Sequence, residues 1–381
     1  MDPVTQAPSG LDEDPSAYLA LPRFSRTLDL DLDLAGVASR TSTVTYALTD
    51  APPDAAWPVL IFFNGLGGHR LIAALIDGIA RAHRVQILTL DKPHSGGSAR
   101  GTPLPLAART RWMHAALLAV LAHERITRVA LLSHSNGLFY ALYTLLHLPP
   151  GLTATSWTIS GPFVPQRISG ALGLRLAAAL PAPLPNALGS LMQVIPPVAR
   201  AASWGGGVLS LSAGLLSPAA AASTPDARER QKPAHQRGYM HRYATPRCRQ
   251  EITRRMLAES RVAIGEEALF CLHGGDPTSD GADSVWGIGP GATDADVLRG
   301  AFARLVELHP DDALRIRVVY GAADGLVPAR GRAWLKGVLE ALGLVREEGA
   351  WTEVPGAGHD DVLFLEEVVG KILGRVQEAC V

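Results

Sequence analysis

The sequence predicts an α/β fold, a mostly parallel sheet with helices on both faces. Three observations carry that prediction. Short apolar runs (Val59–Phe63, Val85–Leu90, Val129–Leu132 and Thr153–Ile159) read as buried strands. They alternate with stretches of helical length, the pattern of strand–helix–strand crossovers. The runs also end in small-residue loops, which puts any ligand site at the carboxyl ends of the strands.

In chain order, residues 1–22 are acidic and Pro-rich and read as a flexible segment. Leu28–Leu34 alternates leucine with aspartate, as a half-buried strand does, and Thr43–Leu48 is the next strand. Helices are expected near 70–82, 105–124 and 136–147, between the four buried runs. After Gly161 the alternation breaks, and to about residue 300 the chain is irregular and rich in Ala, Leu, Gly and Pro. Within it, residues 176–199 and 201–225 carry no charge, with only Arg200 between them. Their length suits a membrane span. Pro181, Pro183, Pro185, Pro196 and Pro197 interrupt the first stretch, however, and Gly205–Gly207 the second. A hydrophobic cover over an apolar substrate is the favoured reading, with contact to lipid surfaces as a further one. Arg242, Arg247, Arg249, Arg254 and Arg255 read as a solvated helical face. Strands resume at Arg315–Tyr320 and before Pro355. The expected division is a core of residues 23–160 and 301–381, with residues 161–300 inserted.

Composition bounds the function. A 47% apolar chain of 381 residues can build a large core, and a net charge of −1 leaves no basic footprint for nucleic acid. Cys248, Cys271 and Cys380 are too few and odd in number for a disulfide framework and suggest a reducing compartment. Met1-Asp2-Pro3 lacks the basic and apolar regions of a signal peptide, and Ala379-Cys380-Val381 is no peroxisomal or prenylation signal. A cytoplasmic protein is expected.

The most informative segment is Ser133-His134-Ser135-Asn136-Gly137, directly after the Val129–Leu132 run. A strand that ends in small-x-Ser-x-Gly reads as a nucleophile elbow. The chain reverses so sharply that the serine is strained, and small flanking residues let strand and helix pass. Ser133 stands where glycine is usual. Asp324 lies just past the Arg315–Tyr320 strand, and His359 follows in the Gly-rich loop Pro355–Gly358. A serine, an acid and a histidine in that order, each after a strand, resemble the α/β-hydrolase superfamily. Within it the chain looks like a lidded serine esterase or lipase, over roughly residues 25–160 and 301–381.

That resemblance implies a helical lid inserted after the sixth strand and an antiparallel start to the sheet. It implies Ser135 as nucleophile, His359 as base and Asp324 as its orienting acid. It also implies an oxyanion hole from two backbone N–H groups, those of Leu66 in Asn64-Gly65-Leu66-Gly67-Gly68-His69 and of Asn136. Read as a phosphate loop, the same segment lacks the third glycine, with Arg70 in its place. Asp91-Lys92-Pro93-His94-Ser95-Gly96-Gly97-Ser98 resembles the superfamily loop in which Asp91 and the glycines shape the pocket floor. No organic cofactor is required, and with no H-x-x-x-H or Cys-x-x-Cys no metal is expected.

Each residue also has a structural reading. Ser135 could cap a helix, Asp324 could form a turn beside Gly325, and Asp360 could cap the helix after His359. Asp276, Asp280 and Asp283 are rival acids within the insertion, and His134 reads as a packed neighbour. The expected reaction is hydrolysis of a carboxylic ester of a hydrophobic substrate through an acyl-serine. Carbon–carbon bond hydrolysis, thioester hydrolysis and acyl transfer use the same triad and stay open, as does a non-catalytic ligand- or partner-binding relative. Superfamily members that open epoxides or displace halide carry aspartate at the elbow, and Ser135 stands against both.

Overall fold

The computed structural model describes residues 14–34, 37, 41–52, 55–102, 104–179, 181, 246–273, 284–310 and 314–380. Most of residues 176–225, Arg242, and the rival acids Asp276, Asp280 and Asp283 lie outside them.

Among the described residues, eight strands form one sheet. They are β1 (Arg26–Asp31), β2 (Thr41–Leu48), β3 (Val59–Phe63), β4 (Gln86–Leu90), β5 (Arg128–His134), β6 (Thr153–Ser160), β7 (Arg315–Gly321) and β8 (Trp351–Val354). Their order is β1-β2-β4-β3-β5-β6-β7-β8. β1 and β2 pair antiparallel, as do β2 and β4, and every other neighbouring pair is parallel. The expected strands are therefore present, with ends moved by a few residues. The Leu28–Leu34 alternation begins and ends two or three residues early, because pairing with β2 runs from Arg26 opposite Tyr46 to Asp31 opposite Thr41.

Period-two alternation divides the core. Val59, Ile61 and Phe63 of β3, with Val129 and Leu131 of β5, pack on one face. There they meet α3 (Arg109–His123), α4 (Gly137–Leu146), α9 (Asp294–Leu308) and α10 (Ala329–Ala341). Leu60, Phe62, Ala130 and Leu132 point to the other face, against α2 (Ile72–Ala82) and α11 (Glu366–Cys380). Successive strand residues must face opposite sides, so an unbroken apolar run needs helices on both. Between β6 and β7 the described residues hold α5 (Gln166–Ser169), α6 (Leu172–Ala178), α7 (Pro246–Glu259), α8 (Arg261–His273) and α9. The short α1 (Pro15–Leu19) precedes β1, its Asp14 carboxylate accepting from the N–H groups of Ser16 and Ala17. On α7, Cys248 and Ile252 are buried while Glu251 pairs with Arg254 and Arg255 at the surface. No helix among the described residues is long and apolar enough to cross a membrane.

Candidate active site

The strand order reverses at β3, which has β4 on one side and β5 on the other. The carboxyl ends of β3 and β5 thus open a crevice, the usual position for a ligand in such sheets. Phe63 lies opposite Ser133 across the β3–β5 ladder, so the loop from Asn64 and the segment from His134 leave the sheet side by side. A Cβ on Gly65 would sit 3.0 Å from the Ser135 Cβ.

Ser135 has φ +52°, in the left-handed region that L-residues avoid. Its N–H donates to Ser160 O at 3.1 Å, and its carbonyl accepts from Phe163 N–H at 3.2 Å. These bonds to β6 and the loop after it hold the strained residue in place. Gly137 explains the rest of the turn, because a Cβ there would lie 2.0 Å from Phe63 O. The unusual Ser133 also has a partner: its Oγ accepts the indole N–H of the fully buried Trp157 at 2.9 Å. Neither the Leu66 nor the Asn136 N–H donates to a partner among the described residues.

Asp324 divides its carboxylate. Oδ1 accepts the N–H groups of Leu326 and Val327, both at 2.9 Å, so the turn role is real. Oδ2 accepts His359 Nδ1–H at 2.8 Å. Burial pulls the His359 imidazole down, but the hydrogen bond and charge of Asp324 outweigh it, and its pKa ends above the ordinary 6.5. Burial would raise Asp324, and the same partner brings it below 3.8. With Nδ1 so engaged, His359 Nε2 is buried and has no hydrogen-bond partner among the described residues. The structure thus brings His359 and Asp324 together without a hydrogen bond from Ser135. The His359 ring instead lies 5.0 Å from that of His134, the residue before Ser135.

His134 is more than a packed neighbour. Nδ1–H donates to Ser160 O at 3.1 Å, and Nε2 meets Asp360 Oδ1 at 2.8 Å. Burial pulls the His134 imidazole below its ordinary 6.5, against the opposing hydrogen bond and charge of Asp360. Asp360 makes no helix-capping bond; its carboxylate ties the histidine loop to the elbow. His134, His359 and Asp360 offer ligand atoms within 4.8 Å of one another, a spacing that could hold a metal ion.

Beneath the crevice lies a buried network of charges. Asp91 accepts from Arg70 N–H at 2.7 Å and Arg70 Nη1 at 2.6 Å, and from the Thr45 hydroxyl. Next to it, Lys92 Nζ donates to Gly65 O, Asn136 Oδ1 and Glu267 Oε2 at 2.9, 3.1 and 2.8 Å. Glu267, from α8, also accepts from Asn136 Nδ2, Arg109 and Tyr140. Burial alone would raise its carboxyl; the charges of Lys92 and Arg109 outweigh that and hold it at about 2. His94 donates to Glu266 Oε2 at 2.6 Å and Thr102 O at 2.8 Å, and the Glu266 bond raises its pKa.

No family model matches the chain, and no curated protein matches it by sequence. Solved structures do match. A thermophilic esterase from Thermogutta terrifontis is 12% identical with a TM-score of 0.53, over 93% of this chain and 100% of that one. A structure from Nitrososphaera gargenis, described among carboxylesterases, is 12% identical with a TM-score of 0.51, over 92% and 99%. The chain has the α/β-hydrolase fold. Within that fold Ser135, Asp324 and His359 follow β5, β7 and β8, and Leu66 follows β3. Sequence reasoning missed Lys92, Glu267 and the His134–Asp360 pair. The one local signal was Glu266-Glu267, two adjacent acids inside α8.

Proposed function

We propose that the protein is a serine hydrolase that cleaves a carboxylic ester of a hydrophobic substrate. The observation that carries this reading is the His359 imidazole. Its Nδ1–H is given to Asp324, and its buried Nε2 is unpartnered beside the elbow that strains Ser135. A histidine held in that tautomer is a general base, and a serine hydroxyl needs one to be nucleophilic. His359 takes the Ser135 proton as Oγ bonds to the ester carbonyl carbon. The resulting oxyanion accepts from the Leu66 and Asn136 amides. Collapse breaks the ester C–O bond, and His359 passes its proton to the departing alkoxide. Water, deprotonated by His359, then releases the acid and restores Ser135. The uncharged residues of 176–225 support an apolar acyl or alcohol group, and residues 161–300 act as the cover over the site in this reading.

The test is covalent labelling with a fluorophosphonate, read by peptide mass spectrometry, beside turnover of an ester panel graded in chain length. The expected result is a label on the Ser135 peptide, absent in Ser135→Ala, with hydrolysis of apolar esters lost in the same variant. A folded wild-type protein that takes no label and hydrolyses no ester overturns the reading.

A further inference from the structure

We propose that Lys92 is a positioning residue for the oxyanion hole, and that Glu267 on α8 holds it there. The proposal rests on the serine-hydrolase reading. An ammonium group has three N–H donors, and Lys92 Nζ, fully buried, has an acceptor for each: Gly65 O, Asn136 Oδ1 and Glu267 Oε2. Two of these acceptors belong to the segments that carry the oxyanion donors.

The first acts through peptide geometry. Gly65 C=O and Leu66 N–H belong to one planar trans peptide, so they point in opposite directions. Drawing the oxygen down onto Lys92 therefore sets the direction in which Leu66 N–H donates. Gly68 N–H reaches the same oxygen at 3.0 Å and fixes the plane further. Donation into the carbonyl also polarises the amide and strengthens its N–H as a donor. The second acts through a side chain. Asn136 is pinned at both ends of its amide, Oδ1 by Lys92 and Nδ2 by Glu267 at 2.6 Å. The residue thereby keeps its helical backbone, φ −69° and ψ −9°, at the elbow.

Glu267 is needed because a buried ammonium without a counter-charge sheds its proton, and with it one of the three bonds. α8 lies between β6 and β7, outside the strands that carry the triad. Oxyanion geometry is in this way tied to the seating of that helix.

The experiment uses an aryl trifluoromethyl ketone and the matching alcohol. Serine adds to the ketone carbonyl, His359 takes the hydroxyl proton, and the adduct oxyanion occupies the hole; the alcohol forms no oxyanion. In Lys92→Met and Glu267→Gln, ketone affinity is expected to fall at least about tenfold, alcohol affinity to stay within about twofold, and kcat to fall with KM held. Because the two residues act as one unit, the double variant should lose no more than the worse single. If Lys92→Met does not fold, Glu267→Gln carries the test, since its Oε1 still accepts from Arg109. Ketone affinity within about twofold of wild type in a folded variant overturns the proposal, as does equal loss of ketone and alcohol. A wild-type protein that takes the fluorophosphonate label while the variants bind normally overturns this assignment alone. A wild-type protein that neither labels nor binds the ketone overturns the serine-hydrolase reading and this assignment with it.

Discussion

Asp324 serves the turn with one oxygen and the imidazole with the other, and Asp324→Asn separates the two. The amide keeps an acceptor for Leu326 and Val327 but cannot accept His359 Nδ1–H without losing it. The fold should survive while kcat drops by about 10⁴, as a wrong tautomer does; melting temperature and steady-state kinetics check both halves. In the proposed mechanism His359 acts as base only when neutral, and its pKa lies above 6.5. Activity should therefore fall as pH drops through a value higher than 6.5, which a kcat/KM profile measures; an acid limb at or below 6.5 counts against the assignment. Ser133 gives a third prediction. Ser133→Ala leaves the Trp157 indole N–H buried and unpaired, and should cost about 1–3 kcal/mol in a denaturant titration.

At the scale of elements, Gly137 fixes how closely α4 passes β3. Gly137→Ala would drive a Cβ to 2.0 Å from Phe63 O, a backbone atom that cannot rotate away. Destabilisation of about 3 kcal/mol is expected, measured by denaturation midpoint, with loss of the elbow geometry. The strands, and the loops that carry Ser135, Asp324 and His359 at their ends, were legible because each is local. Buried strands appear as apolar runs, and small residues at fixed offsets mark a sharp turn. Contacts that join distant segments left no such trace. Lys92 and Glu267 are 175 residues apart, and neither periodicity nor a motif links them. Asp360 misled in another way. Its place before a helical turn suits a cap, yet its carboxylate turns back to His134, 226 residues earlier.

At the scale of the molecule, two acids on helices between β6 and β7 pair with cations from earlier in the chain. Glu259 on α7 reaches Arg70 at 2.9 Å, and Glu267 reaches Lys92 and Arg109. For Glu259, as for Glu267, burial would raise the carboxyl but its partners, His69 and Arg70, hold it at about 2. A depressed carboxyl stabilises the fold above its unfolded pKa and loses that contribution as pH falls through the folded one. Stability should thus hold above 4.5 and fall away between 4.5 and about 2. Glu267→Gln should flatten the acid limb of melting temperature against pH. The β6–β7 ladder has a consequence in time. Ser160 and Val319 are neighbours across it, yet the whole stretch from β6 to β7 separates them in the chain. Closing so long a loop is slow, and Asp324 and His359 both lie beyond it. On dilution from denaturant, far-UV helical signal should return before the Ser135 peptide regains its reactivity, so a pulse of fluorophosphonate during refolding would act as a clock for the last strands to arrive.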